Sequence, residues 1–189
     1  MFLVSRLSRA LSHRFMELVH GGLYVVMGVS GSGKSLIASS FARALGVEFV
    51  EGDAYHPPEN VAIMASGVPL TDGDRQPWLR ALAARLGEAR VAGTGLVLAC
   101  SALKRSYRDL LRTGAPDVRF VHLHGGRALL ADRLADRPGH FMPPSLLDSQ
   151  LAALEEPAPD EGAWVYDVGQ SPDEIVAALV ARASRARSG

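Results

Sequence analysis

Three glycines, a lysine and a serine in the run Gly28-Val29-Ser30-Gly31-Ser32-Gly33-Lys34-Ser35 are the residue types needed to grip a chain of phosphates. Their spacing matches G-x-x-x-x-G-K-S/T in full, between an apolar run, Leu23 to Met27, and a segment with helical apolar spacing. Glycine lets the backbone fold tightly with its N–H groups aimed at phosphate oxygens, and the helix that follows adds the positive end of its dipole. In that arrangement Lys34 bridges the β- and γ-phosphates and the Ser35 hydroxyl ligates Mg²⁺. The whole run, Gly28, Val29, Ser30, Gly31, Ser32, Gly33, Lys34 and Ser35, is therefore expected to bind ATP.

A grip on phosphate does not say what happens to it. A guanine-specific enzyme would carry N-K-x-D after a later strand, and this chain has no such element. The apolar run Leu96 to Cys100 has no acid where a Walker-B aspartate would stand. Asp53, just past a second apolar run at Val47 to Val50, is the natural candidate instead. Ligands of such folds lie beyond the carboxyl ends of the strands, so Asp53 is expected to face Lys34 and Ser35 across a crevice. A carboxylate there orients an attacking hydroxyl and takes its proton, or holds Mg²⁺ through water. Lys34 and Asp53 are thus expected to be catalytic, with Ser35 and Asp53 as metal ligands.

Two clusters of cations follow. Ser101, Lys104, Arg105, Tyr107, Arg108 and Asp109 come after the third apolar run. Lys104 and Arg108, four apart, are expected to share a helical face and to clamp a substrate carboxylate or phosphate oxygens. The alternative, a solvated basic face, suits Arg105 as well. Arg127, Arg133, Arg137 and His140 lead into a connector bearing proline and glycine, Arg137 to Pro144. Arg133 and Arg137 are one helical turn apart. A mobile segment bringing them onto the transferring phosphoryl group would stabilise its charge and exclude water.

The elements that must position these residues alternate along the chain. Strands are read at Leu23–Met27, Val47–Val50, Gly95–Cys100, Val118–Leu123 and Ala163–Val168. Helices are read from Lys34 to the stop at Gly46, from His56-Pro57-Pro58 toward Met64, and from about Arg75 to Val91 with Trp78, Leu82 and Leu86 on the apolar side. Further helices are expected at Lys104–Arg112, at Arg127–Asp136, up to Leu154, and after Ser171-Pro172-Asp173-Glu174, a capping box with proline at the first helical position. Strands alternating with helices of this length predict one α/β domain, a parallel sheet covered on both faces.

Composition sets limits on partners. The 189 residues carry 20 Lys plus Arg against 20 Asp plus Glu, so no net field favours nucleic acid. An apolar fraction of 48% and a charged fraction of 21% suit a soluble enzyme. Cys100 is the only cysteine, which excludes an internal disulfide and argues against a cysteine-based zinc site. It sits in an apolar run, as a buried thiol in a reducing, cytoplasmic compartment would. No apolar stretch is long enough to span a bilayer. Residues 1–20 are set apart as an N-terminal extension. The first fifteen are arginine- and serine-rich and free of acids, like an organelle-targeting segment, but a plain extension or an upstream start before Met16 is the preferred reading, because alanine- and arginine-rich composition runs through the whole chain. The kinase domain is then 21–189, with a lid near 127–145.

Five blocks in order resemble one family, the gluconokinases among the P-loop small-molecule kinases. They are MGVSGSGKS at Met27 to Ser35, GDAYHPPEN at Gly52 to Asn60, MASGVPLTDGDRQPWL at Met64 to Leu79, CSALKRSYRDLLR at Cys100 to Arg112, and RLADRPGHFMPPSLLDSQLAALEEP at Arg133 to Pro157. The resemblance implies transfer of phosphate from ATP to the 6-hydroxyl of D-gluconate. It also implies a core of five parallel strands, related to shikimate and adenylate kinases, and a homodimer. By position it makes Asp53 the carboxylate facing the sugar hydroxyl. His56, Asp74, Arg75 and Lys104 become substrate-side groups, Arg133 and Arg137 lid residues over the phosphates, and Gly169 and Gln170 neighbours of the adenine.

Gluconate is a polyol with one carboxylate, so its pocket needs cations beside many hydrogen-bond partners, and His56, Asp74, Arg75 and Lys104 supply that mixture. One departure is His124-Gly125-Gly126, where the family often has an acidic or small polar residue after one glycine, which bears on the start of the lid helix. Other acceptors, such as shikimate or a different sugar acid, stay open. So does a nucleotide-dependent regulator that turns nothing over.

Overall fold

The computed structural model describes residues 22–135 and 144–186. Its strands are β1 (Leu23–Met27), β2 (Glu48–Glu51), β3 (Leu96–Ala99), β4 (Arg119–His124) and β5 (Trp164–Asp167). Its helices are α1 (Lys34–Leu45), α2 (Pro58–Ala65), α3 (Asp72–Ala92), α4 (Arg105–Arg112), α5 (Arg127–Ala135), α6 (Pro144–Ala153) and α7 (Pro172–Arg185), with a 3-10 turn at Gly52–Tyr55. The strands pair side by side in the order β2-β3-β1-β4-β5, all parallel. This is the predicted doubly covered α/β sheet. Each strand falls within one or two residues of its sequence-based bounds.

Every residue of β1 and β3 is buried, which explains why both read as unbroken apolar runs. Alternate residues feed opposite faces. Tyr24 and Val26 pack with Phe41 of α1 and with Ile175 and Leu179 of α7. Leu23, Val25 and Met27 pack with Trp78, Leu82 and Leu86 of α3 and Leu111 of α4. On the first face Tyr24 meets Phe41 edge-on, ring centroids 4.9 Å apart, and emptying such a site costs about 3–5 kcal/mol. The α1, α5, α6 and α7 side and the α3 and α4 side are thus two cores on one sheet. Half-buried Leu154 touches both.

Helix α3 begins three residues earlier than predicted. The Thr71 hydroxyl accepts from Asp74 N, and the Asp74 carboxylate accepts from Thr71 N at 2.8 Å, a capping box that fixes the start at Asp72.

His122 points into the α3/α4 side of the sheet at 2% exposure, and its Nε2 has no partner among the described residues. Burial drives its pKa from 6.5 down to about 4. Glu156 pulls it upward, while His124 and Arg108 add to the fall. The unfolded chain therefore takes up this proton first, and stability falls as pH drops from 6.5 toward 4. The slope expected from one such group is up to about 1.4 kcal/mol per pH unit. Urea unfolding across that window should show it in the native protein and lose it in His122→Gln. A flat native profile would rule the buried neutral imidazole out.

Candidate active site

The phosphate loop leaves β1 at the centre of the sheet, where β3 departs on one side and β4 on the other, the switch point at which such sheets bind ligands. Gly28 N donates to Ser101 O at 3.3 Å, tying the loop to the segment after β3. Gly33 caps α1 in the left-handed region (φ 82°), and a side chain there would meet no atom within 4 Å. Its bare backbone thus faces open space where a phosphate can come close, a conformation that glycine alone adopts without strain. Lys34 Nζ folds back to donate to Val29 O at 3.1 Å, so its ammonium sits at the Val29–Ser30 end of the loop. Ser35 lies half-buried in the first turn of α1, and Ser32 is buried beneath the loop.

Asp53 stands exposed in the 3-10 turn after β2, at the same carboxyl edge. Gly52 makes that placement possible: a side chain there would lie 2.3 Å from the Ala99 carbonyl oxygen of β3. Trp78 Nε1 then donates to Gly52 O at 2.7 Å and pins the turn from below. With β3 between β2 and β1, ordinary strand spacing separates Asp53 from the phosphate loop by about 10 Å. The gap left by the intervening strand suits a phosphoryl group and its acceptor. Cys100, directly after β3, feels the charges of both Asp53 and Lys34. Burial pushes its thiol up to about 12, which leaves it neutral and unreactive.

The residues expected on the acceptor side gather on the turn after β2, on α3 and on the segment after β3. His56 stacks on Trp78, ring centroids 4.1 Å apart, and its buried Nδ1 has no partner among the described residues. Burial lowers its pKa, partly offset by Asp53, so the neutral ring can accept a hydroxyl hydrogen. Arg75 donates to Leu70 O and lies 5.8 Å from the Tyr107 ring centroid. Lys104 Nζ meets both oxygens of Asp72 at 2.8 Å, and the Tyr107 hydroxyl donates to the same carboxylate. Bonds from these two partners, Lys104 first, hold the Asp72 carboxyl below its ordinary range. Asp72 therefore joins the group although it was not read from sequence. Asp74, which was, spends its carboxylate on the Thr71 cap.

Arg108 departs from expectation. Lys104 precedes α4 as its N-cap, and Arg108 turns inward at 0% exposure instead of sharing an open face with it. Its guanidinium donates to Glu161 at 2.6 and 2.8 Å and to the carbonyls of Ala102, Leu103 and Glu155. It ties the segment after β3 to Glu155 and Glu161 and is not free to clamp a substrate. Arg105 pairs with Asp160 on the surface, the solvated alternative.

On the other face α5 packs over the phosphate loop, since a side chain at Gly31 would strike Leu130 O at 2.7 Å. Arg127 is engaged by Asp148 at 2.7 and 2.9 Å, and Arg133 donates to Val168 O at 2.7 Å. Val168 directly precedes Gly169 and exposed Gln170, so Arg133 lies against the turn assigned to the adenine. Arg137 and His140 fall outside the described residues, as do residues 1–20.

Among the described residues no three metal-ligating side chains gather. Were Mg²⁺ to enter with the nucleotide, the Ser35 hydroxyl, and Asp53 through water, are the groups that would hold it beside phosphate oxygens.

A family model described as an AAA domain matches residues 23–157. The chain is 52% identical over 156 residues to a gluconokinase of Gluconobacter oxydans, covering 82% of this chain and 88% of that one. It is 45% identical over 160 residues to the thermoresistant gluconokinase of Escherichia coli, with 84% and 91% covered. A crystal structure of a gluconokinase from Sinorhizobium meliloti superposes with a TM-score of 0.80 at 49% identity, over 89% of this chain and 95% of that one.

Proposed function

The chain belongs to the gluconokinase family, and from that premise we propose that it transfers the terminal phosphoryl group of ATP to the 6-hydroxyl of D-gluconate, giving 6-phospho-D-gluconate. One observation carries the reading: a complete phosphate loop and an exposed carboxylate share one sheet edge with a single strand between them. Two polar groups, the neutral His56 and the Asp72–Lys104–Tyr107 cluster, lie on the carboxylate's side.

The loop amides and Lys34 hold the donor's phosphates, and Asp53 aims the acceptor hydroxyl and takes its proton as the new bond forms. Mg²⁺ on Ser35 would neutralise charge that builds on the phosphates. Lys104 exchanges Asp72 for the gluconate carboxylate, Arg75 adds a second cation, and His56 completes the substrate wall, while Asp74 serves it by fixing the start of α3 through the Thr71 cap. Arg133, with Arg137, closes over the donor from the stretch near 127–145, while Gln170 borders the adenine. The same reading makes the protein a cytoplasmic homodimer.

Purified protein given Mg-ATP and a panel of acceptors tests this by the mass of the phosphorylated product. ATP consumption is expected only with gluconate, and Lys34→Ala is expected to abolish it. Strong turnover on shikimate or another sugar acid beside negligible turnover on gluconate would overturn the acceptor. ATP binding with no acceptor-stimulated turnover would make the chain a regulator.

A further inference from the structure

The third residue of the phosphate loop already has a partner. Ser30 N donates to Gln150 Oε1 at 2.7 Å, across 120 positions of sequence. Gln150 stands on α6, a helix held at two points: Leu147, 1% exposed, lies in the core, and Asp148 takes both bonds from Arg127. A side chain carried by so anchored a helix is delivered to the loop by the fold.

The chemistry of the contact fixes which way the carboxamide faces. A backbone N–H can bond only to its oxygen, so the amide nitrogen forms the other end. Among the described residues none accepts its hydrogens, and the side chain is half-buried at the crevice. Lys34 Nζ, the cation that reaches the β- and γ-phosphates in such loops, rests on Val29 O, next to Ser30. Gln150 therefore stands at the terminal-phosphate end of the cradle with a donor to spare, and a phosphoryl group offers acceptors alone.

We propose that Gln150 is a further donor-site residue, its carbonyl kept on Ser30 N–H and its NH₂ given to the oxygens of the transferring phosphoryl group. This rests on the reading of residues 28–35 as the ATP site but not on gluconate as the acceptor. Gln150→Glu separates that role from a structural one. The carboxylate still accepts from Ser30 and keeps α6 docked, but it sets a negative charge where the donor was.

The expected result is a non-hydrolysable ATP analogue bound about 30-fold more weakly, ADP changed by less than about threefold, and kcat down by about 100-fold. Equal weakening of both nucleotides would reduce Gln150 to a structural tie. Affinities within about threefold of native would overturn the proposal, as would tighter ATP binding in Gln150→Ala, because Gln150 would then be a plug that nucleotide displaces. Should the Glu variant fail to fold, Gln150→Met keeps the volume without donor or acceptor and is expected to weaken the ATP analogue selectively too. A native enzyme that ignores gluconate but shows this ATP-to-ADP contrast would sink the acceptor and leave the inference standing.

Discussion

Asparagine in place of Asp53 is expected to lower kcat on gluconate by about a thousandfold while the affinity for Mg-ATP stays within about threefold of native. The substitution keeps the shape and a hydrogen-bond acceptor but cannot take a proton. Asp53 is exposed and its turn is held by Gly52 and Trp78, so the change has little route to stability. The roughly 10 Å between Asp53 and the loop is what should keep nucleotide binding apart from the loss. Steady-state kinetics with a parallel nucleotide titration decide it. Near-normal turnover would remove Asp53 as base, and recovery of the rate with raised Mg²⁺ would make it a metal ligand alone.

The largest effect on stability is expected from Arg108→Ala, about 3–5 kcal/mol. Arg108 and the Glu161 side chain are 0% and 2% exposed, and removing the cation leaves a buried carboxylate with only Ala158 N and the longer Arg112 contacts, and takes the Arg108 donor from the carbonyls of Ala102 and Glu155. The paired guanidinium holds Glu161 down at about 2, against 4.5 ordinarily, so the pair's contribution is full above pH 4.5 and fades as pH falls toward 2. For a chain of this length the expected loss in Tm is about 10 °C. The double change Arg108→Met with Glu161→Leu should recover most of it, because apolar side chains of similar volume need no partner. A single variant within about 1 kcal/mol of native would refute this account of the pair.

What could be read from the sequence was what the backbone decides locally. The phosphate loop is set by glycine conformations and a strand-to-helix junction, and the five strands by runs of apolar residues, so both came through nearly intact. The start of α3 was missed because Thr71 and Asp74 look like loop residues until their reciprocal bonds are seen. Asp72 and Asp74 are equivalent on paper; only the fold turns one toward Lys104 and the other toward its own helix cap. Arg108 was misassigned because charge argues for the surface, and nothing nearby in sequence announces Glu161, 53 residues on. Gln150 lies still farther from its partner, beyond any periodicity.

The division of the interior into two cores has a consequence for ancestry. The proposed donor grip hangs from the α1 side, and the proposed acceptor groups hang from α3, the start of α4 and the turn after β2, with the sheet as partition. A lineage can therefore retailor its choice of alcohol by editing one half while inheriting the other unchanged.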